Sequence, residues 1–236
     1  MSNSSGIFGG VKMIKQLLLL SILVASCVGG PDSCGAHTDV QCGNPGTKWE
    51  SGICNSVFGG FKGNTRNLSV LINRHLNDSF KYLVMASYFD SAEVNRMGFN
   101  KYIQGYSDKL WDNGKDILKY VLSRGGSADP NLKVTAMQMP NYQGEVLSMS
   151  ASLDMMKQLM EDMRLVYKHA ANKHVSNTQP ERESYDPPLL HYLEESFFED
   201  YTERIRDLAG KLNILGKIAR NDKTKYMGFH LFDKSM

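Results

Sequence analysis

The chain has 236 residues, 42% of them hydrophobic and 22% charged, which places it among globular proteins and excludes a disordered one. That length suits one domain with extensions and is short for two. A formal net charge of +2, with bases interleaved among acids, leaves no electrostatic footprint for nucleic acid.

The N-terminus divides into three stretches. Residues 1–12 form a polar and Gly-containing upstream extension, and Met13 is an alternative start. Residues 13–30 read as a secretory signal peptide: Lys15, an apolar run from Leu17 to Ala25 broken by Ser21, then small residues and Gly29-Gly30. A membrane anchor would take roughly 17–25 apolar residues, so no membrane partner is expected. Residues 31–65 form a Cys- and Gly-rich extension without period. Cys34, Cys42 and Cys54 crowd it, Cys27 lies near the cleavage point, and no cysteine follows. Such clustering suits disulfides in an oxidising compartment, and the absence of a CxxC spacing argues against zinc. If cleavage removes Cys27, the odd count that remains suggests one bond to another chain. With Cys27 kept, two internal bonds are open. Asn67-Leu68-Ser69 is a glycosylation sequon; Asn77-Asp78-Ser79 is a poorer one because it falls inside a predicted helix.

From about residue 67 the hydrophobic period becomes 3.6. Helix A is predicted over 67–90 with a stripe of Leu76, Phe80, Leu83 and Ser87. Helix B is predicted over 92–123, ended by Gly125-Gly126, with a stripe of Phe99, Ile103, Tyr106, Leu110, Asn113 and Ile117. At roughly 30 residues it would be about 45 Å long. A long connection, 127–142, then leads to helix C over 144–173, with Leu153, Met156, Met160, Met163, Tyr167 and Ala170. Helix D is predicted over 188–217, with Asp186 as its cap and prolines in its first turn. Its stripe is Leu190, Leu193, Phe197, Tyr201, Ile205, Leu208, Leu212 and Leu215. A short fifth segment spans 222–232. Four long amphipathic helices with one long B–C crossover describe an all-α, ferritin-like four-helix bundle.

Several segments resemble ferritins. They are Ile72-Asn73-Arg74, Tyr82-Leu83 and Ala86-Ser87-Tyr88-Phe89-Asp90 in helix A, and Asn100-Lys101-Tyr102 in helix B. Arg124-Gly125-Gly126 at the end of helix B and Leu231-Phe232-Asp233-Lys234 near the C-terminus complete the set. Each motif is short; their order and spacing carry the resemblance over residues 66–236. The leader and cysteine-bearing extension resemble the secreted ferritins of arthropods, which pair a heavy with a light chain. The resemblance implies a hollow shell of twenty-four subunits that stores iron as ferric mineral.

A carboxylate-bridged di-iron centre needs oxygen donors and an imidazole projecting into the bundle core, typically with Glu-x-x-His on one helix face. That spacing is absent around all six histidines, and the four predicted stripes contain no Asp or Glu. Laid over this chain, the ferritin pattern puts His75, Leu110, Asn113, Met156 and Tyr201 at ligand positions, and only Tyr82 keeps its family identity. No catalytic residue is therefore expected. The resemblance also places His191 and Glu194 at a three-fold channel, on one face at the start of helix D, with His191 where a carboxylate is usual. Asp108 and Asp112 are mineral-nucleation candidates, with Lys109 opposing the usual charge.

The resulting expectation is a secreted, non-catalytic light-chain subunit that co-assembles with a ferroxidase heavy chain. One of Cys34, Cys42 or Cys54 would supply an inter-chain disulfide. Two other readings compete: an oxidase with a relocated site around His75, Asp78 and Tyr82, and a secreted helical signalling bundle without metal.

Overall fold

The computed structural model describes residues 55–129, 142–172 and 184–236, and these form helices and no strand. The leader, all four cysteines and most of the Gly-rich extension lie outside the described residues. Helix α1 spans Phe61–Asp90, α2 Met97–Ser123 and α3 Glu145–Ala170. Helix α4, Pro187–Leu193, runs through a π-helical turn, Glu194–Phe198, into α5, Glu199–Ala219. Helix α6, Lys225–Ser235, ends the chain.

Cross-helix bonds fix the directions. Asn100 donates to the Ala86 carbonyl and Ser107 to that of Ser79, so α2 runs antiparallel to α1. Tyr82 meets Ser152 and Asn64 meets His169, so α3 also opposes α1. Asn113 meets Tyr201 and Tyr102 meets Asp207, so α5 opposes α2. Helices α2 and α3 are therefore parallel, and the chain between them must return the length of the bundle. That is the single long crossover expected from the sequence.

The stripes of helices B and D pack much as predicted. Phe99, Ile103, Tyr106, Leu110, Asn113 and Ile117 are all buried, as are Leu193, Phe197, Tyr201, Leu208 and Leu215. Helix A is different. Its buried face is Leu68, Leu71, Ile72, His75, Ser79, Tyr82, Met85, Ala86 and Phe89, while Leu83 is 41% exposed and Ser87 is at the surface. Helix α1 thus carries a second apolar face, with Phe80 edge-on to Trp111 of α2 at 6.0 Å. Helix α1 also begins before residue 67: Phe61 is buried, and the buried Asn64 amide donates to the carbonyls of Gly60 and Ser184. The extension expected to run to residue 65 therefore stops sooner. Helix α2 starts later than predicted, because residues 92–96 form a turn in which Asn95 adopts φ +45°.

The bundle end at residues 120–126 is tied by one buried cation. Arg124 donates to both carboxylate oxygens of Asp186, to the Phe58 carbonyl and to the Tyr120 hydroxyl, and lies 4.2 Å over the Phe58 ring. Asp186 meanwhile accepts from the Leu189 amide as the α4 cap, with Pro187 and Pro188 in the first turn, as predicted. Both side chains are buried, so removing one strands the other's charge. Arg124→Ala should cost about 3–5 kcal/mol of unfolding free energy by denaturant titration. Arg164→Ala, which breaks an exposed pair with Glu161, should leave the denaturation midpoint close to that of the wild type.

Candidate functional site

The middle of the bundle holds one histidine, His75 of α1, fully buried between α2 and α5. Its Nδ1 lies 2.8 Å from the Leu71 carbonyl, which can only accept, so Nδ1 carries the proton. Nε2 is then an acceptor, and the Tyr201 hydroxyl donates to it at 2.8 Å. The same hydroxyl oxygen accepts from the Asn113 amide at 2.7 Å. Each group in this chain, carbonyl to imidazole to phenol to amide, has the partner that its chemistry requires. The Phe197 ring lies beside it, with its centroid 6.2 Å from that of His75, and Leu110, Met156 and Tyr82 are buried in the same core. The Tyr82 hydroxyl turns the other way and donates to the Ser152 carbonyl at 2.8 Å.

Burial sets the protonation states. It lowers the pKa of His75 to about 4, against small opposing contributions from Leu71 and Asp78. It raises those of Tyr82 and Tyr201 above the ordinary phenol range. At neutral pH all three are uncharged, which is the least costly state in a dry core. As a metal site the arrangement fails on its donor set. The one imidazole lone pair is taken by Tyr201, and Leu110 and Met156 offer no oxygen. Among the described residues no three His, Cys, Asp or Glu side chains gather to hold a metal.

One carboxylate is buried in α1 contrary to the sequence expectation. Asp78 pairs with Arg74 at 2.7 Å and Lys81 at 2.9 Å, and Arg74 also reaches Asp162 of α3 at 3.7 Å. The spacing Arg-x-x-x-Asp-x-x-Lys could have shown it, since all three lie on adjoining turns of one helix. His75, Asp78 and Tyr82 are thus engaged with three different sets of partners and are not brought together as a relocated site.

The other candidates sit at the surface. The three-residue spacing from His191 to Glu194 does not make a pair: His191 meets Glu195 at 3.2 Å, and Glu194 accepts from the Tyr167 hydroxyl of α3 at 2.5 Å. Their side chains take different partners on adjoining turns, which no hydrophobic stripe reveals. Asp112 pairs with Lys115 at 2.7 Å, and Asp108 accepts from Gln104 at 2.8 Å. The Lys115 hydrogen bond holds the Asp112 carboxyl below its usual pKa. Lys109 approaches Asp200 of α5 at 3.8 Å. Asn67 lies inside α1, so helix membership no longer separates its sequon from that of Asn77.

The centre gives a pH signature with a definite sign. The unfolded state takes up the His75 proton below about pH 6.5, whereas the folded state resists it down to about pH 4. Stability from this residue is full above pH 6.5 and is lost as pH falls towards 4. The loss should be on the order of 2–3 kcal/mol. Denaturant titrations at about pH 7 and about pH 4.5, which bracket most of that window, should show a smaller acid loss in His75→Gln than in the wild type. An equal loss in both would mean that His75 is not held neutral.

Comparisons with known proteins agree with the fold. The ferritin-like domain model matches residues 66–220. The chain is 30% identical to the ferritin light chain of Trichoplusia ni, over 93% of this chain and 97% of that protein. It is 29% identical to the ferritin light chain of Drosophila melanogaster, over 95% and 98%. Identity to the ferritin heavy chain of Drosophila melanogaster is 25%, over 96% and 100%. Among solved structures it is similar to Trichoplusia ni secreted ferritin, with a TM-score of 0.71, 27% identity, and coverage of 86% of this chain and 97% of that one.

Proposed function

The chain belongs to the ferritin family, and we propose that within it this protein is a light-type subunit, a structural part of a secreted iron-storing shell. The observation that carries the proposal is the closed centre of His75, Tyr201 and Asn113, where a di-iron site would need open oxygen donors. Oxidation of ferrous iron then falls to a heavy-chain partner, and iron is the cargo of the assembly rather than a resident cofactor of this chain. The light-chain names of two of the similar insect proteins support the same assignment.

Assembly is supported by the second apolar face of α1 and α2. Leu83 and Trp111 remain more than two-fifths exposed on it, in a fold whose four-helix core is already full. Such a face suits burial against another subunit. In a shell of twenty-four subunits, His191 and Glu194 would stand at the three-fold channel, which would draw cations less strongly with an imidazole where a carboxylate is usual. Asp108 and Asp112 would be the mineral-nucleation residues, with Lys109 and Lys115 offsetting their charge. Secretion follows from the leader at 13–30 and is supported by the secreted ferritin of Trichoplusia ni. In that compartment Cys34, Cys42 or Cys54 can bond a heavy chain, and Asn67 can be glycosylated before its helix forms.

Oxygen consumption after mixing with ferrous salt tests the assignment. The purified chain should consume oxygen at the rate of buffer alone. A co-refolded mixture with a heavy chain should oxidise the iron and retain it through gel filtration. Rapid consumption by the purified chain would contradict the assignment.

A further inference from the structure

Helix α2 has no cap of its own. Arg96 stands at its N-cap position and makes no capping bond with its side chain. An uncapped, buried helix start leaves backbone N–H groups unsatisfied. Here the cap comes from the far end of the chain. Oδ1 of Asp233, in α6, accepts from the Phe99 amide at 3.0 Å, and Asp233 is itself buried. A carboxylate is the favoured group at this point, because the helix dipole and the free N–H both attract negative charge.

The approach is shaped for this contact. A Cβ added to Gly98 would stand 1.9 Å from the Asp233 carbonyl oxygen, so only glycine admits the α6 backbone at that position. Gly228, on the same short helix, lies tightly against Ile218 of α5. Phe232 packs on Phe99 with ring centroids 5.8 Å apart. Arg96 adds a polar tie, reaching His230 of α6 at 3.4 Å and Glu145 at the start of α3 at 3.0 Å. The starts of the two parallel helices and the docked α6 thus meet at one junction. On its opposite side α6 presents Tyr226, Met227 and Leu231, exposed by 72%, 69% and 62%.

We propose that Asp233 is a latch: by capping α2 across the chain, with Gly98 as its seat, it holds α6 in one fixed position on the bundle. The core of α1, α2, α3 and α5 folds without it. What the latch controls is the placement of Tyr226, Met227 and Leu231, the apolar face that α6 offers to neighbouring subunits of the shell. This second part rests on the subunit reading above.

Hydrogen exchange and sedimentation of the full chain, mixed with a heavy chain, test both parts. Asp233→Ala should speed exchange of the Phe99 amide and of the 225–235 peptide by about tenfold or more, as loss of a charge-assisted bond implies. Peptides from the middle of α1 and α3 should keep their protection, and the variant should fail to enter the large particle. Asp233→Asn, which retains an acceptor oxygen, should fall between the alanine variant and wild type; it also serves if the alanine variant does not fold. Unchanged protection of 225–235 in Asp233→Ala, or in Asp233→Asn if only that variant folds, overturns the latch. Lost protection with normal particle formation overturns its role in assembly. Failure of the wild type to enter a particle counts against the subunit reading instead, and the exchange data still decide the latch.

Discussion

The structure depends on how four helices close over a polar residue in the middle of their core. His75 could be costly there, since an unpaired imidazole in a dry interior loses its hydration for nothing. The Leu71 carbonyl, the Tyr201 hydroxyl and the Asn113 amide remove that cost by fixing one tautomer and using both ring nitrogens. The same three bonds that stabilise the bundle use the imidazole lone pair on a phenol, the lone pair that a cation would need.

Much of the charge buried among the described residues is moved from the middle to the ends and edges. Arg124 and Asp186 join the close of α2 to the start of α4, and Asp233 caps the other end of α2. Asp78 lies at the α1–α3 edge between two cations. Each is satisfied by a partner of opposite charge or by an orphan amide, so each fixes the position of a helix end or a neighbouring helix. The central layer carries no charge: Leu, Met, Phe and Tyr pack densely around the neutral His75 and Asn113. The polar anchors add directional bonds that favour one register.

How far the sequence revealed this varies by helix, for physical reasons. Helix B was legible because its buried line, Phe99 through Ile117, recurs without a break at steps of three and four. Helix A was not, because two apolar lines compete on it. A line through Leu76, Phe80 and Leu83 fits a helical period as well as the buried face does, and the buried face is disguised by His75, Asp78 and Ser79. Gly63 and Asn64 look like loop residues, yet buried Asn64 serves as a tie for three segments. The lack of Asp and Glu on the four predicted stripes was legible because it depends on residue identity alone. The bonds among the buried polar groups were not, since Tyr201 joins Asn113 and His75 from positions 88 and 126 residues away. The π turn at Glu194–Phe198 likewise leaves no trace in composition.

The core carries the central claim, that these four helices cannot seat a pair of irons. Crystals soaked in ferrous salt without oxygen, with anomalous diffraction recorded at the iron edge, address it directly. No anomalous peak is expected among His75, Tyr82, Leu110, Asn113, Met156 and Tyr201, and the hydrogen bond from Tyr201 to His75 should be unchanged. Two peaks between those side chains, with the His75 ring turned away from Tyr201, would contradict the claim.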